Sequence, residues 1–247
     1  MVEGKQIMPE SPVEPALHGD AATVVLLRDA PRGLEVLLLE RPSHRGSFAG
    51  AWVFPGGHVD PEDRDEVPQD SVEPLLGAAR QAGVRETWEE TGVVINEQDL
   101  APLSVWAPPP SVPKRLLTWF FLATVELAAS QRLRLSPDEH VDHAWLTPAE
   151  ALERHARGAM ELVPPTWMTL SWLTDHRTAA EAMAAARAAE PAVFKSVGAR
   201  NDEGSPIVAW AGDEAYDLDG ETGPQGARNR ITLDIRPWFH EQVDVRQ

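Results

Sequence analysis

Arg85, Glu86, Glu89 and Glu90 stand in the run Arg85-Glu86-Thr87-Trp88-Glu89-Glu90-Thr91-Gly92-Val93, and their types and spacing point to metal chemistry. At about 100° per residue, helical positions 86, 89 and 90 fall within a sector of about 100°, so three carboxylates project from one face. Like charges three and four residues apart destabilise a helix by a few tenths of a kcal/mol per pair. A divalent cation relieves that repulsion, and hard cations such as Mg²⁺ or Mn²⁺ take carboxylate oxygens while leaving positions for water and phosphate. A solvated acidic face is the plainer explanation in a chain with 39 acidic and 22 basic residues. Yet the five fixed positions, one Arg, three Glu and one Gly, recur by chance on the order of once in ten thousand such chains at ordinary residue usage. That rarity favours the metal site.

The elements around this run are legible in outline. Gly33 to Arg41 reads as an apolar strand ending in a basic residue, joined by a turn to a strand over Ala21 to Arg28. Ala51 to Phe54 is a short strand entering the turn Pro55-Gly56-Gly57. The helix is predicted from about Glu73 to Thr91, with Gly92 suited to the left-handed position that ends it. Strands are predicted over Leu116 to Leu127 and Val141 to Leu146. Thr147-Pro148-Ala149-Glu150 is a capping box opening a second helix that stops at Gly158. Pro164 to Glu190 reads as one broken helix or two short ones, with Trp167, Leu170 and Leu173 as a core stripe. From Pro191 the composition shifts to glycine and acidic residues, with strand candidates at Ile207 to Trp210 and Ile231 to Ile235. This part is too small for a core of its own and is expected to pack on the main domain or on a second subunit, as in a homodimer.

Gly57 and the run Arg85 to Val93, with the strands that precede them, resemble the Nudix hydrolases, a family that cleaves nucleoside diphosphates linked to another moiety. The family box reads Gly, five residues, Glu, seven residues, then R-E-U-x-E-E-x-G-U with U aliphatic. Gly57 matches its start, and Thr87 stands in the first aliphatic slot of its end. Gly57 and Arg85 are 28 positions apart (85 − 57), about twice the family spacing. The acidic, proline-bearing segment Pro61 to Ser71 is therefore read as an inserted surface loop. Asp63 takes the place of the box's first Glu when counted from Gly57, and Gly77 takes it when counted back from Arg85. An inserted box resembles the peroxisomal coenzyme A diphosphatase branch, and Trp106 to Ala123 is similar to that branch's W-x-T-P…R-R-F-D-T-x-F-F-L-A segment. Ala107-Pro108, Lys114, Leu116 and Leu117 depart from it.

The resemblance implies a Nudix-type α/β/α sandwich with a mixed β-sheet over residues 21–190, preceded by a flexible tail at 1–20 and followed by a C-terminal extension at 191–247. It implies cleavage of a pyrophosphate bond with Mg²⁺ or Mn²⁺ held by Glu86, Glu89, Glu90 and the Gly57 carbonyl. Coenzyme A or an acyl derivative is the favoured substrate, with NADH, ADP-ribose or a dinucleoside polyphosphate as alternatives. A nucleotide-sensing module without turnover is a different class, disfavoured by the intact glutamates. Arg85 is expected to pair with one of the glutamates and fix its rotamer, and Arg85 and Glu86 are catalytic candidates. Ser136 to Leu146 resembles the family loop in which a glutamate precedes a strand ending in Trp, which makes Glu139 the general-base candidate. His140 and His143 read as structural or solvent-exposed rather than as a metal pair.

Composition sets the frame. With 247 residues and 43% hydrophobic content, the chain can bury a sizeable core. A net charge of −17 argues against nucleic acid or an anionic membrane surface as a stable partner, and for a small nucleotide held by metal and a few local cations. Arg41, Lys114 and Arg115 are the best placed of these. With no cysteine there is neither a disulfide nor thiolate chemistry. No charged-then-apolar leader is visible, and the longest apolar stretch, Leu116 to Val125, is too short to span a bilayer. A soluble cytoplasmic protein is the expectation.

Overall fold

β1 (Asp20–Ala30) and β2 (Gly33–Glu40) form an antiparallel hairpin that sets Leu27 opposite Val36 and Ala30 opposite Gly33. Their side chains alternate between two cores: Val25, Leu27, Leu34, Val36 and Leu38 enter one, and Val24, Leu26, Leu37 and Leu39 the other. An apolar run buried on both faces belongs in a sheet covered by helices on each side. The structure, a computed structural model, describes residues 16–44, 48–65, 74–130, 133–136, 140–218 and 221–245.

The chain continues through β3 (Trp52–Val53), β4 (Gly56–His58), α1 (Pro61–Asp65), α2 (Pro74–Thr91), β5 (Ala101–Ala107), β6 (Leu117–Thr124) and α3 (Leu127–Ser130). Then come β7 (Asp142–Leu146), α4 (Pro148–Ala156), α5 (Pro164–Leu173), α6 (Ala179–Ala188) and β8 (Ala192–Lys195). The large sheet runs β3-β2-β1-β6-β5-β8, with β4 pairing to β1 and β7 to β2. β1–β6 and β5–β8 are parallel and the other pairs antiparallel, so the sheet is mixed. α2 lays Ala79 and Ala82 on Ala22, Leu26 and Phe121, while α4, α5 and α6 cover the opposite face with Ala151, Leu170, Leu173, Ala182 and Met183. The expected α/β/α sandwich is thus the observed one.

Local chemistry explains the helix ends. Thr147 Oγ1 accepts from Glu150 N and Glu150 Oε2 accepts from Thr147 N, which closes the predicted capping box of α4. Pro164 to Glu190 resolves into two helices, α5 and α6, with Trp167, Leu170 and Leu173 buried. The strand read as far as Leu127 stops at Thr124, and Leu127 to Ser130 turn into α3. The larger correction is at α1, which is helical where a surface loop was expected. Proline at its first position and Glu62 and Asp63 in its first turn are favourable there, and Asp63 is buried. Glu73, the expected helix start, lies outside the described residues.

Beyond β8, the strands β9 (Val197–Arg200), β10 (Pro206–Ala209), β11 (Asp217–Leu218), β12 (Glu221–Thr222), β13 (Arg228–Thr232) and β14 (His240–Val243) follow. Four of them form an antiparallel sheet in the order β14-β13-β10-β9. Val208, Trp210, Ile231 and Trp238 enter the same core as α4 to α6, and Trp106 stacks on Phe194 at 4.0 Å with Trp210 edge-on to both. Among the described residues no helix is long and apolar enough to cross a membrane.

Candidate active site

The end of α2 and the Pro-Gly-Gly turn meet because β4 pairs with β1 in the register Ala22 to Gly57, which presses the turn against the helix. Gly56 N donates to Glu90 Oε2 at 2.8 Å. A Cβ on Gly56 would run into the backbone of Ala22 and Thr23, so that position requires glycine, while Gly57 lies directly against the Glu86 carboxylate. Gly92, at φ 71°, ends the helix one residue after Thr91, as its position predicts.

Arg85 sits at the centre of this packing. Its Nε and Nη2 donate to the two carboxylate oxygens of Asp63 at 3.1 and 2.8 Å, a two-pronged pairing that is stronger than a single contact. Nη1 reaches Glu86 Oε1 at 3.0 Å and Glu89 Oε2 at 3.3 Å, and Nη2 also donates to the His58 carbonyl at 2.9 Å. The expected pairing of Arg85 with a box glutamate is present twice. Asp63 is the larger partner, and of the two alignments of the interrupted box, the count from Gly57 is the one that lands on the arginine's partner. Its burial and its bond from Asp60 N also mean that the insertion does not begin as a free surface loop.

These contacts set the electrostatics. Burial pushes the Glu86 carboxyl up to about 7, Arg85 opposes that, and the like charges of Glu90 and Glu89 add to it. The hydrogen bond to Asp63 holds the Arg85 guanidinium more firmly protonated than usual. Glu89 is exposed and Glu90 buried. His140 also belongs here. Its Nε2 lies 2.9 Å from Glu90 Oε1, on a segment strapped to the end of α2 by Arg134 N to Thr91 O and Ser136 N to Glu90 O. His143 is exposed, in keeping with the sequence reading, whereas His140 is brought into the site by loop packing that residue spacing does not reveal. Glu139, the general-base candidate, lies outside the described residues.

With the side chains in these positions, no three His, Asp or Glu residues among those described converge on one point that could hold an ion. In this arrangement Arg85 bonds Glu86 and Glu89, and Gly56 N bonds Glu90 Oε2. The donor chemistry nonetheless fits a hard divalent cation. Three carboxylates crowd one helix end beside the Gly57 backbone, and one has been driven toward neutrality by burial and like charge, the condition a bound cation reverses. An ion bound there would compete with Arg85 for the oxygens of Glu86 and Glu89.

The expected phosphate-binding cations separate into two kinds. The charges of Lys114 and Arg41 add to burial in holding the His58 imidazole below its usual range, so both act on β4 next to Gly57. Arg41 is tied in at the end of β2, its N donating to Ala51 O and its carbonyl accepting from Gly50 N. Arg115 departs from expectation. It is only 1% exposed, its Nε donates to Pro108 O at 3.0 Å and its backbone N to His18 Nδ1 at 3.2 Å. A guanidinium turned inward onto the Pro108 carbonyl braces the proline-rich loop and is not presented at a solvent-facing rim.

Residues 17–165 match the NUDIX domain family. Over 137 residues the chain is 33% identical to the m7GpppN-mRNA hydrolase NUDT17 of Xenopus laevis, covering 51% of this chain and 41% of that protein. It is 26% identical over 148 residues to a MutT-like protein of Streptomyces ambofaciens, covering 60% of this chain and 76% of that one. The chain thus spans about two fifths of the Xenopus relative's length. A crystal structure of a Nudix hydrolase from Alicyclobacillus acidocaldarius shares the fold, with a TM-score of 0.58 at 24% identity over 67% of this chain and 95% of that one. Nudix hydrolases generally use divalent metal ions. The match takes in more than half of the 247 residues and encloses the Gly57 turn, Arg85 and the three glutamates: the chain belongs to the Nudix family.

Proposed function

We propose that this chain is a metal-dependent hydrolase that cleaves the pyrophosphate bond of a nucleoside diphosphate linked to another moiety, with coenzyme A or an acyl-coenzyme A as favoured substrate. What carries this is the gathering of Glu86, Glu89 and Glu90 about Arg85 and the Gly56-Gly57 turn, inside the region that matches the Nudix family. Glu86, Glu89, Glu90 and the Gly57 carbonyl would hold Mg²⁺ or Mn²⁺, which supplies neutralisation of the phosphoryl oxygens and a water of lowered pKa.

The chain's own residues do the rest. Arg85, anchored on Asp63, restricts the rotamers of Glu86 and Glu89, and the Gly56 N–H fixes Glu90. Water oxygen attacks one phosphorus, the bond from that phosphorus to the bridging oxygen breaks, and the second phosphate departs. The water's proton would pass to Glu139, the general-base candidate of the sequence, while Glu86, kept ionised by a bound cation, would serve as one of its ligands. Arg41 and Lys114, beside β4, supply the local positive charge that a chain of net charge −17 otherwise lacks for capturing a small nucleotide. A cytoplasmic location belongs to the same proposal.

The similarity to the m7GpppN-mRNA hydrolase of Xenopus laevis favours a second substrate class, dinucleoside polyphosphates, which offer the same phosphoanhydride to the same residues. Purified protein with Mg²⁺ or Mn²⁺ is to be incubated with coenzyme A, acyl-coenzyme A, NADH, ADP-ribose and capped or uncapped dinucleoside polyphosphates, and the products weighed by mass spectrometry. Release of phosphopantetheine and adenosine 3′,5′-bisphosphate from coenzyme A is expected. Fastest turnover on a dinucleoside polyphosphate moves the assignment to the second class, and no turnover on any compound with either ion replaces hydrolysis by nucleotide sensing.

A further inference from the structure

We infer, on the footing of the metal-dependent hydrolysis proposed above, that His140 is a nitrogen ligand of the metal site, bound next to Glu90 and tilting the site from Mg²⁺ toward Mn²⁺. His140 is 3% exposed, and among the described residues neither of its ring nitrogens has a hydrogen-bond partner. A buried polar group left unpaired costs about 1–3 kcal/mol, so such a group calls for an explanation. Nε2 is 2.9 Å from Glu90 Oε1, close enough for a hydrogen bond yet without the N–H alignment that one requires. Two donors at right angles on an ion, each about 2.1 Å from it, stand about 3.0 Å apart. The spacing of Nε2 and Oε1 is that of neighbours in one coordination sphere.

The surroundings agree. Glu90 is the glutamate that Arg85 leaves alone, since the guanidinium spends its contacts on Asp63, Glu86 and Glu89. Its Oε2 is held by Gly56 N, and Oε1 is left facing the imidazole. The backbone that carries the ring is held on both sides, by His140 N to Ser136 O and by Val141 N to Glu40 O. Mn²⁺, which opens the first-row divalent transition series, accepts an imidazole nitrogen more readily than Mg²⁺ does, whereas carboxylate, carbonyl and water suit the two ions alike. One nitrogen in an oxygen set therefore separates two ions that the glutamates by themselves treat similarly.

Pulsed electron paramagnetic resonance of Mn²⁺ bound to the full chain tests this directly, because a coordinated imidazole imposes a nitrogen-14 coupling on the Mn²⁺ electron spin. The coupling is expected in the parent protein and in His58→Gln, and is expected to vanish in His140→Gln. The Mn²⁺ dissociation constant of His140→Gln should rise about tenfold or more, with a smaller rise for Mg²⁺. Where His140→Gln does not fold, the double variant His58→Gln/His143→Gln takes its place: coupling that persists supports His140, and coupling that is lost overturns it. Mn²⁺ that binds without nitrogen coupling, or with coupling that survives in His140→Gln, overturns the role of His140 and leaves the proposed hydrolase intact. A chain that binds no Mn²⁺ at all overturns both.

Discussion

Glu86 at the end of α2 and Asp213 in the C-terminal sheet are both acids withdrawn from water, and their surroundings act on them in opposite directions. Burial drives the Glu86 carboxyl up to about 7, helped by Glu90 and Glu89 and only partly opposed by Arg85. Burial acts on Asp213 too, but hydrogen bonds from Arg230 and from the backbone N–H groups of Asn229 and Ala215 outweigh it and hold the carboxyl below its usual range. Asp213 has every partner it needs within the chain. Around Glu86 the guanidinium of Arg85 is shared between Glu86 and Glu89 while its main attachment is Asp63, and Glu90 lies outside its reach, so the proposed cation would supply the positive charge these carboxylates lack. A buried acid that is satisfied supports the fold; one that is not marks where chemistry is done.

The largest effect that would break this contrast is at Asp213. Asp213→Ala leaves Arg230 buried without its main partner, and a loss of about 3–5 kcal/mol in unfolding free energy is expected, read from the urea midpoint, with turnover per folded molecule unchanged. A midpoint like the parent's would mean that the Asp213 network is not what holds the small sheet. The reverse pattern is expected at the other pole: Glu89→Gln or Glu90→Gln should lower kcat by at least about 100-fold with little change in midpoint. Parental turnover in both variants would remove the glutamates from the mechanism.

A smaller effect sharpens the role of the cations. Lys114→Ala should raise KM about tenfold, the worth of one charge-assisted contact, and leave kcat near the parent value. Arg115→Ala, whose guanidinium faces inward, should lower thermal stability instead, and a KM effect without a stability effect would return it to the rim. The subtlest expectation concerns pH in the metal-free protein. Because the folded Glu86 titrates near 7 and its usual value is 4.5, the folded chain holds a proton between those values that the unfolded chain has lost. That stabilisation is complete below about 4.5 and gone above about 7. Glu86→Gln should therefore gain in urea midpoint relative to the parent between pH 5 and pH 8, and a constant difference contradicts the assignment. Asp213, with its carboxyl depressed, has the opposite sign: its contribution is present above its usual 3.8 and lost on further acidification.

How much of this was legible follows from the range over which each feature is encoded. The run Arg85 to Gly92 and the Thr147 capping box are local, so helix periodicity and cap chemistry reveal them. Asp63 could not be chosen over Gly77 by counting, because the inserted residues break the spacing and only the packing of α1 on α2 decides between them. Pro61 at a helix start and the acids behind it were a sign of α1 that the acidic, proline-bearing composition obscured. His140 is brought onto Glu90 by bonds between a loop and a helix some 50 residues away in sequence, a distance over which residue spacing carries no information. Arg115 was misplaced for a related reason: just ahead of a strand, one residue decides whether a side chain faces in or out.

β8 has a consequence for the molecule's behaviour in company. It lies parallel to β5, with Ser104 opposite Ala192 and Trp106 opposite Phe194, and it is contributed by residues well past the end of the family match at 165. Without it β5 would be an outermost strand, seven residues long, offering a row of unpaired N–H and C=O groups flanked by Val105 and Trp106. Such a row is a template for strands of other chains and for self-association. A variant whose β8 cannot pair, such as Val193→Pro/Phe194→Pro, would keep every glutamate of the site and the helices that cover the sheet but leave β5 unsealed, so its first failure would be aggregation rather than loss of chemistry.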